Sequence, residues 1–158
     1  MSNKFPLSQK YIDFINTTNV SAEFLEGTTA SGKTTVGAGV KFMRMVSQSP
    51  KKLHAIAAKT TGKAEETIIQ QDNGILDLHR NAVYCGNGDK DYKLPHIKFE
   101  GKIIYILGYS SRDKWEMVLG AQFGCVYIDE INTADIEFIR EMSTRNAVSY
   151  THLKLPTT

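Results

Sequence analysis

Gly27-Thr28-Thr29-Ala30-Ser31-Gly32-Lys33-Thr34 satisfies G-x-x-x-x-G-K-[ST] at every fixed position, and Thr35 follows it directly. At ordinary residue frequencies a chain of this length matches such a pattern by chance about once in a few hundred cases. Each fixed residue type has a physical reason. The glycines let backbone N–H groups turn inward around an anion. A following helix adds the positive end of its dipole. Lys33 carries a cation to the β- and γ-phosphates of a nucleotide, and the Thr34 hydroxyl can join the shell of a magnesium ion. The chemistry expected of residues 27–35 is therefore the binding of a nucleoside triphosphate with Mg2+.

A second set of chemical residues lies 96 positions beyond Lys33. Cys125-Val126-Tyr127-Ile128 is apolar and strand-like, and Asp129 and Glu130 follow it at once. In an open α/β sheet, ligands sit at the carboxyl ends of the strands, so both motifs are expected on one edge. Asp129 then helps to hold the metal, and Glu130 polarises an attacking water as general base. From these residues alone the chemistry reaches hydrolysis of Mg-ATP and no further.

The elements that must position these motifs alternate between strand and helix. "AEFLE" (22–26) reads as a strand into the glycine loop, and 33–48 as a helix with Val36, Val40, Met43 and Val46 on one face. Gly37 and Gly39 weaken that helix but permit close packing on a sheet. Further strands are expected at 52–59, 82–86 and 124–130, and helices at 8–16, 62–71, 74–80 and 133–145, the last capped by Thr133. Residues 96–110 read as a hairpin turning at Glu100-Gly101, and 111–120 as a loop with a helical turn. The expected fold class is α/β, with a mainly parallel sheet and one antiparallel element.

Bulk properties narrow the class. The 158 residues suffice for one domain with a sizeable core, and 41% hydrophobic with 23% charged residues is ordinary globular composition. A net charge of +2 does not argue for nucleic-acid binding by itself. No apolar run is long enough to span a bilayer, and the first residues carry no secretory core, so a cytoplasmic protein is expected. Cys85 and Cys125 are expected to be buried, reduced thiols. Together with His54, His79, His96 and His152 they match no zinc spacing, so no site of that kind is expected.

The stretches "FLEGTTASGKTT", "HAIAAKTTGKAEETIIQQDNGILDLH" and "YILGYSSRDKWEMVLGAQFGCVYIDEINTADIEFIRE" resemble the N-terminal ATPase domain of the large terminase subunit of tailed phages. The resemblance runs from about Tyr11 to about Arg145. It is most specific from Gly108 to Glu141. It implies a three-layer P-loop NTPase fold of the RecA-like, ASCE type. It also implies ATP and Mg2+ as cofactors and a homo-oligomeric ring that pumps double-stranded DNA into a procapsid. The implied partners are the portal protein and the small terminase subunit, and the implied place is the cytoplasm of the infected host. By the same resemblance Lys33 and Thr34 bind phosphate and Mg2+, Asp129 assists the metal, and Glu130 is the catalytic carboxylate. Ring ATPases of this kind use an arginine finger, and residues 28–31 supply none. Arg112 is the leading candidate, with Arg140 and Arg145 next. Gln9 and Tyr11 are candidates for the adenine, and Lys51, Lys52, Lys59 and Lys63 for DNA phosphate. A helicase-like motor and a nucleotide-binding fragment without turnover are the alternatives.

The stretch "VSYTHLKLPTT" (148–158) resembles a translated sequencing adapter. The ATPase domain is therefore expected to occupy residues 1–147. A coupling strand and the family's nuclease domain are expected to be missing, and with them any endonuclease activity. The fold is expected to be incomplete at the C-terminus, with a missing central strand that exposes sheet edge and apolar surface.

Overall fold

In the computed structural model, residues 8–17, 22–25, 32–118, 120–145 and 151–154 are described. Among the described residues seven strands form one sheet, and one helix precedes its first strand. Helix α1 (Gln9–Asn16) is capped by the Ser8 hydroxyl, which accepts from the Tyr11 N–H. Strand β1 (Ala22–Leu25) precedes the glycine loop. Helix α2 follows the loop. Its first part, Thr35–Phe42, has wide π-type winding, and Met43–Gln48 continues it as α-helix.

Strand β2 (Leu53–Ala58) is buried along almost its whole length, as the central strand of a parallel sheet must be. Helix α3 (Thr61–Ala64, continuing as Glu65–Ile69) and the short α4 (Ile75–Leu78) pack after it. Strands β3 (Val83–Cys85), β4 (His96–Phe99) and β5 (Lys102–Gly108) form an antiparallel meander. Glu100 and Gly101 both take positive φ in the two-residue turn between β4 and β5, at the expected hairpin position. Helix α5 (Arg112–Glu116), strand β6 (Val126–Ile128), helix α6 (Ile136–Arg145) and strand β7 (Thr151–Lys154) complete the order.

The strands lie in the order β1-β7-β6-β2-β5-β4-β3. Strands β1, β7, β6, β2 and β5 are mutually parallel, so their carboxyl ends share one edge. The expected gap in the sheet is filled: Thr151–Lys154 pairs in parallel with β1 on one side and β6 on the other. Ladder bonds are made by backbone groups, so a short extended segment satisfies them with little demand on its side chains.

Two apolar layers sandwich the sheet. One gathers Phe42, Met43 and Val46 of α2 with Ile68, Ile69 and Ile75 against Ile56, Ile104 and Tyr127. The other places Trp115, Phe123, Phe138 and Met142 against Ala55, Ala57, Leu107, Val126 and Ile128. This is the α/β three-layer arrangement expected from the alternation of elements. Phe138 meets both Trp115 and Tyr109 ring to ring, at centroid separations of 5.4 and 5.8 Å, which pins α5 and α6 beneath the same sheet face.

His54 is a structural residue at the far end of this core. Its Nδ1 accepts from the Cys125 N–H at 2.9 Å, and its Nε2 donates to the Lys51 carbonyl at 2.9 Å. That pattern requires a neutral ring. Burial holds its pKa down to about 4. Cys125 is buried and Cys85 is half-buried rather than fully so, and both are free thiols.

Candidate functional site at the carboxyl edge of the sheet

The parallel strands bring three loop systems to one edge. Residues 27–31 of the glycine loop lie outside the described residues, and its end is described from Gly32 onward. Gly32 has φ of 82°, and Lys33 and Thr34 open the helical turns that become α2. Lys33 is only 8% exposed. An ammonium at this position can neutralise a phosphate.

Asp129 leaves the end of β6, where its backbone N–H donates to the Ala57 carbonyl of β2 at 2.8 Å. It is 4% exposed. Glu130 follows with φ 52° and ψ 53°, a left-handed conformation that L-residues other than glycine avoid. Asn73 and Glu100 also take positive φ, Glu100 in a hairpin turn; Glu130 differs in standing directly after the buried Asp129, where the surrounding structure must hold it. The determinants are visible. Tyr109, at the end of β5, donates its hydroxyl toward the carbonyls of Asp129 and Glu130, each at 3.2 Å. The same hydroxyl lies 2.5 Å from Thr133 Oγ1, where either oxygen can be the donor, and Thr133 Oγ1 lies 2.9 Å from the Glu130 carbonyl, so the two hydroxyl protons are shared over this cluster of acceptors. The Thr133 N–H donates to that carbonyl as well, at 2.9 Å. Burial pushes the Tyr109 hydroxyl above its ordinary pKa, so it stays a donor.

This corrects the predicted start of the last helix. Thr133 does not cap it. Ile131–Thr133 forms a 3-10 turn, and α6 starts at Ile136 with Asp135 Oδ1 accepting the Glu137 N–H at 2.9 Å. The threonine hydroxyl is used to lock the Glu130 turn instead.

Tyr127 lies near both motifs. It is fully buried on β6; burial first, then the Asp129 charge, raise its phenol well above the ordinary value, and the nearby Thr34 side chain acts in the opposite direction. Its hydroxyl makes no hydrogen bond among the described residues. A Cβ at Gly37 would come within 3.3 Å of the Tyr127 ring and 2.7 Å of the tip of Leu25. Glycine at 37 is thus what lets α2 approach Leu25 of β1 and Tyr127 of β6 this closely. Gly39 serves a different contact: its position faces Leu78 of α4, at 2.8 Å from an added Cβ, rather than the sheet. Neither Tyr109 nor Tyr127 was among the sequence candidates. The available signal was a tyrosine directly after an apolar strand for Tyr109, and one inside the apolar strand two residues before Asp129 for Tyr127.

The other candidates disperse. Gln9 donates to Asp13 along α1 at 2.8 Å, whereas Tyr11 faces Gly32, at 3.9 Å from an added Cβ, and so borders the loop. Lys41 of α2, which the sequence did not single out, is buried. It bonds Glu23 of β1 at 2.6 Å and the Phe14 carbonyl of α1 at 2.5 Å, tying three elements around the loop. Lys59 and Lys63 are exposed at the carboxyl end of β2, where Thr60 caps α3. Lys52 lies over the Tyr92 ring at 5.6 Å instead. Arg112 is exposed on α5 and clamped by two carboxylates, Glu116 at 2.6 Å and Glu137 at 2.7 Å. Arg140 borders the same small cavity of about 280 Å³ between α5 and α6. The Arg145 side chain lies outside the described residues.

The donors present suit hard ligands. A threonine hydroxyl and a buried carboxylate are oxygen donors of the kind Mg2+ takes, and a buried ammonium suits phosphate. Glu130 stands next to them, half-buried, in a turn that aims it independently of Asp129.

Comparison with known proteins places this arrangement. Residues 24–150 match the family described as terminase large subunit, T4likevirus-type, N-terminal. Among solved structures, the fold is similar to the large terminase of a thermophilic bacteriophage in its crystal form 2. The TM-score is 0.71 at 18% identity, over 97% of this chain and 39% of that one. The complex of the same phage protein with ATP-gamma-S gives 0.70 at 17% identity, over 95% and 38%. Its complex with ADP gives 0.69 at 19% identity, over 96% and 39%. At these identities the likeness concerns the fold. The chain spans about two fifths of the length of those structures. No curated protein matches it.

Proposed function

The chain belongs to the family of T4-type large terminase subunits, through their N-terminal domain, and on that premise we propose that it hydrolyses ATP to move double-stranded DNA into a viral procapsid. The observation that carries the reading is the burial of Lys33 and Asp129 at the carboxyl edge of the parallel strands, with Glu130 held in a left-handed turn directly after Asp129. Residues 27–35 wrap the phosphates, and Lys33 neutralises their charge. Thr34 and Asp129 are the residues that would hold Mg2+, which when bound supplies charge neutralisation at the phosphates. Glu130 takes the proton of the attacking water. Tyr109 and Thr133 act through Glu130, by fixing the backbone that carries it.

Arg112 is the arginine proposed to act on the site of a neighbouring subunit, exchanging Glu116 and Glu137 for phosphate oxygen. The ring, the portal protein and the small subunit as partners, and the host cytoplasm as the place of action, follow from the family and are part of the same proposal. What supports ATP as the nucleotide is the ATP-gamma-S and ADP bound by the similar phage terminase.

Nucleotide binding and phosphate release, measured separately, test this. Lys33→Ala is expected to lose binding, and Glu130→Gln to keep binding and lose turnover. Binding without turnover in the unmodified chain would instead support a nucleotide-binding fragment, and undiminished turnover in Glu130→Gln would remove Glu130 from the mechanism.

A further inference from the structure

At the opposite edge of the sheet, far along the strand order from the phosphate loop, a second set of donor atoms converges. Cys85 of β3 and His96 of β4 are direct cross-strand partners. Residues directly opposite in an antiparallel pair place their side chains on one face, with Cβ atoms about 4.5–5.5 Å apart. Asp89 reaches the same point from the connecting loop. The Cys85 sulfur, an Asp89 oxygen and a His96 nitrogen all lie within 4.8 Å of one another.

Each donor is already oriented. His96 is fully buried, and its Nδ1 lies 2.8 Å from the Leu94 carbonyl. A carbonyl only accepts, so Nδ1 carries a proton, and in the neutral ring the Nε2 lone pair points into the cluster. That Nε2 has no hydrogen-bond partner among the described residues. A histidine ligand whose other nitrogen donates to a backbone carbonyl is the usual arrangement behind a metal. Asp89 is fixed in the same way. Its Oδ1 accepts the N–H groups of Asp91 at 2.9 Å and Tyr92 at 2.7 Å, which leaves Oδ2 facing His96 Nε2 at 3.4 Å. The loop that presents it closes on Gly88, at φ 72°, where a Cβ would lie 2.2 Å from the Lys93 carbonyl oxygen. Lys98 bonds Oδ2 from outside at 2.6 Å and is half exposed.

We propose that Cys85, Asp89 and His96 bind one divalent transition-metal ion of the zinc class, which clips the 86–95 loop to the outer edge of the sheet. Sulfur, imidazole and carboxylate together select zinc over magnesium or calcium. Ordinary zinc bond lengths put tetrahedral ligand atoms about 3.3 Å apart for nitrogen and oxygen and about 3.6 Å when one is sulfur. The His96–Asp89 pair already has that spacing, and the half-buried Cys85 sulfur closes the remainder by a small side-chain movement. Water completes the fourth position, and Lys98 remains on the outer lone pair of the carboxylate. The site is independent of the phosphate loop, so its test does not depend on ATP turnover.

The whole chain, stripped with a chelator and shown to be folded by circular dichroism, is titrated with Zn2+ against a metallochromic indicator, and with Co2+ by absorbance. The expected result is one equivalent of Zn2+, a thiolate-to-cobalt charge-transfer band, and a melting temperature raised by Zn2+. Cys85→Ser and Asp89→Asn, each melting like the stripped parent without metal, are expected to weaken Zn2+ at least about tenfold and to abolish the thermal shift. A folded, stripped parent that takes up no Zn2+ would overturn the proposal, as would affinity unchanged in both variants.

Discussion

Glu130 separates the demands of folding from those of chemistry, and two substitutions expose the separation. Both Glu130→Ala and Glu130→Gly delete the carboxylate, but only glycine accepts φ 52° and ψ 53° without steric cost. The left-handed region costs an L-residue about 1–2 kcal/mol, and glycine returns up to about 1 kcal/mol through the greater entropy of its unfolded chain. The net advantage of glycine over alanine is then about 0–1.6 kcal/mol, centred near 0.8 kcal/mol. For a domain of this size 1 kcal/mol moves the melting temperature by roughly 2–4 °C, so Glu130→Gly is expected to melt about 1–4 °C above Glu130→Ala. Phosphate release should fall together in both variants, by roughly 10²–10⁴-fold for a lost general base. Nucleotide binding should survive in both. Differential scanning fluorimetry and a coupled phosphate assay read the two quantities on the same samples. If glycine melts at or below alanine, the turn is not held left-handed and the argument from backbone strain fails. If turnover persists in both, the strain is real but serves something other than water activation.

Lys33→Ala is expected to weaken nucleotide binding roughly 30–150-fold, the equivalent of a charge-assisted bond of about 2–3 kcal/mol, with the melting temperature nearly unchanged; isothermal titration reads it. Tyr109→Phe removes the hydroxyl that holds the Asp129 and Glu130 carbonyls and Thr133, and should cost about 1–2 kcal/mol in urea unfolding while lowering turnover more than binding. His54 stays neutral in the folded chain down to about pH 4, whereas the unfolded chain protonates it near 6.5. Its contribution, on the order of 2 kcal/mol, is complete above about pH 6.5 and is lost as the pH falls toward 4. The urea midpoint should therefore drop more steeply between pH 7 and pH 5 in the parent than in His54→Gln, and equal slopes would remove His54 as the cause.

The division between what could and could not be read from the chain has a physical origin. Lys33, Thr34 and Asp129 could be singled out along the chain because phosphate and metal binding constrain residue type within a few consecutive positions, and a strand or helix carries those positions together. The hairpin at Glu100-Gly101 was legible for the same reason, since its turn is local. Tyr109 and Tyr127 were not, because each works through contacts fixed by the sheet. Tyr109 reaches the acidic turn from 20 residues away, from a strand that is not even adjacent to β6. Thr133 shows how a local rule fails: threonine before a periodic apolar run is a good cap, but the left-handed Glu130 shifts the helix start to Ile136 and turns the hydroxyl back toward the site. The cluster of Cys85, Asp89 and His96 escaped for a related reason. Zinc spacings read along a sequence describe ligands held by one knuckle or one helix, whereas here two ligands face each other across a ladder and the third arrives from the loop between them. Cross-strand register, not sequence spacing, is the variable that decides whether such residues meet, and register is a property of the folded sheet.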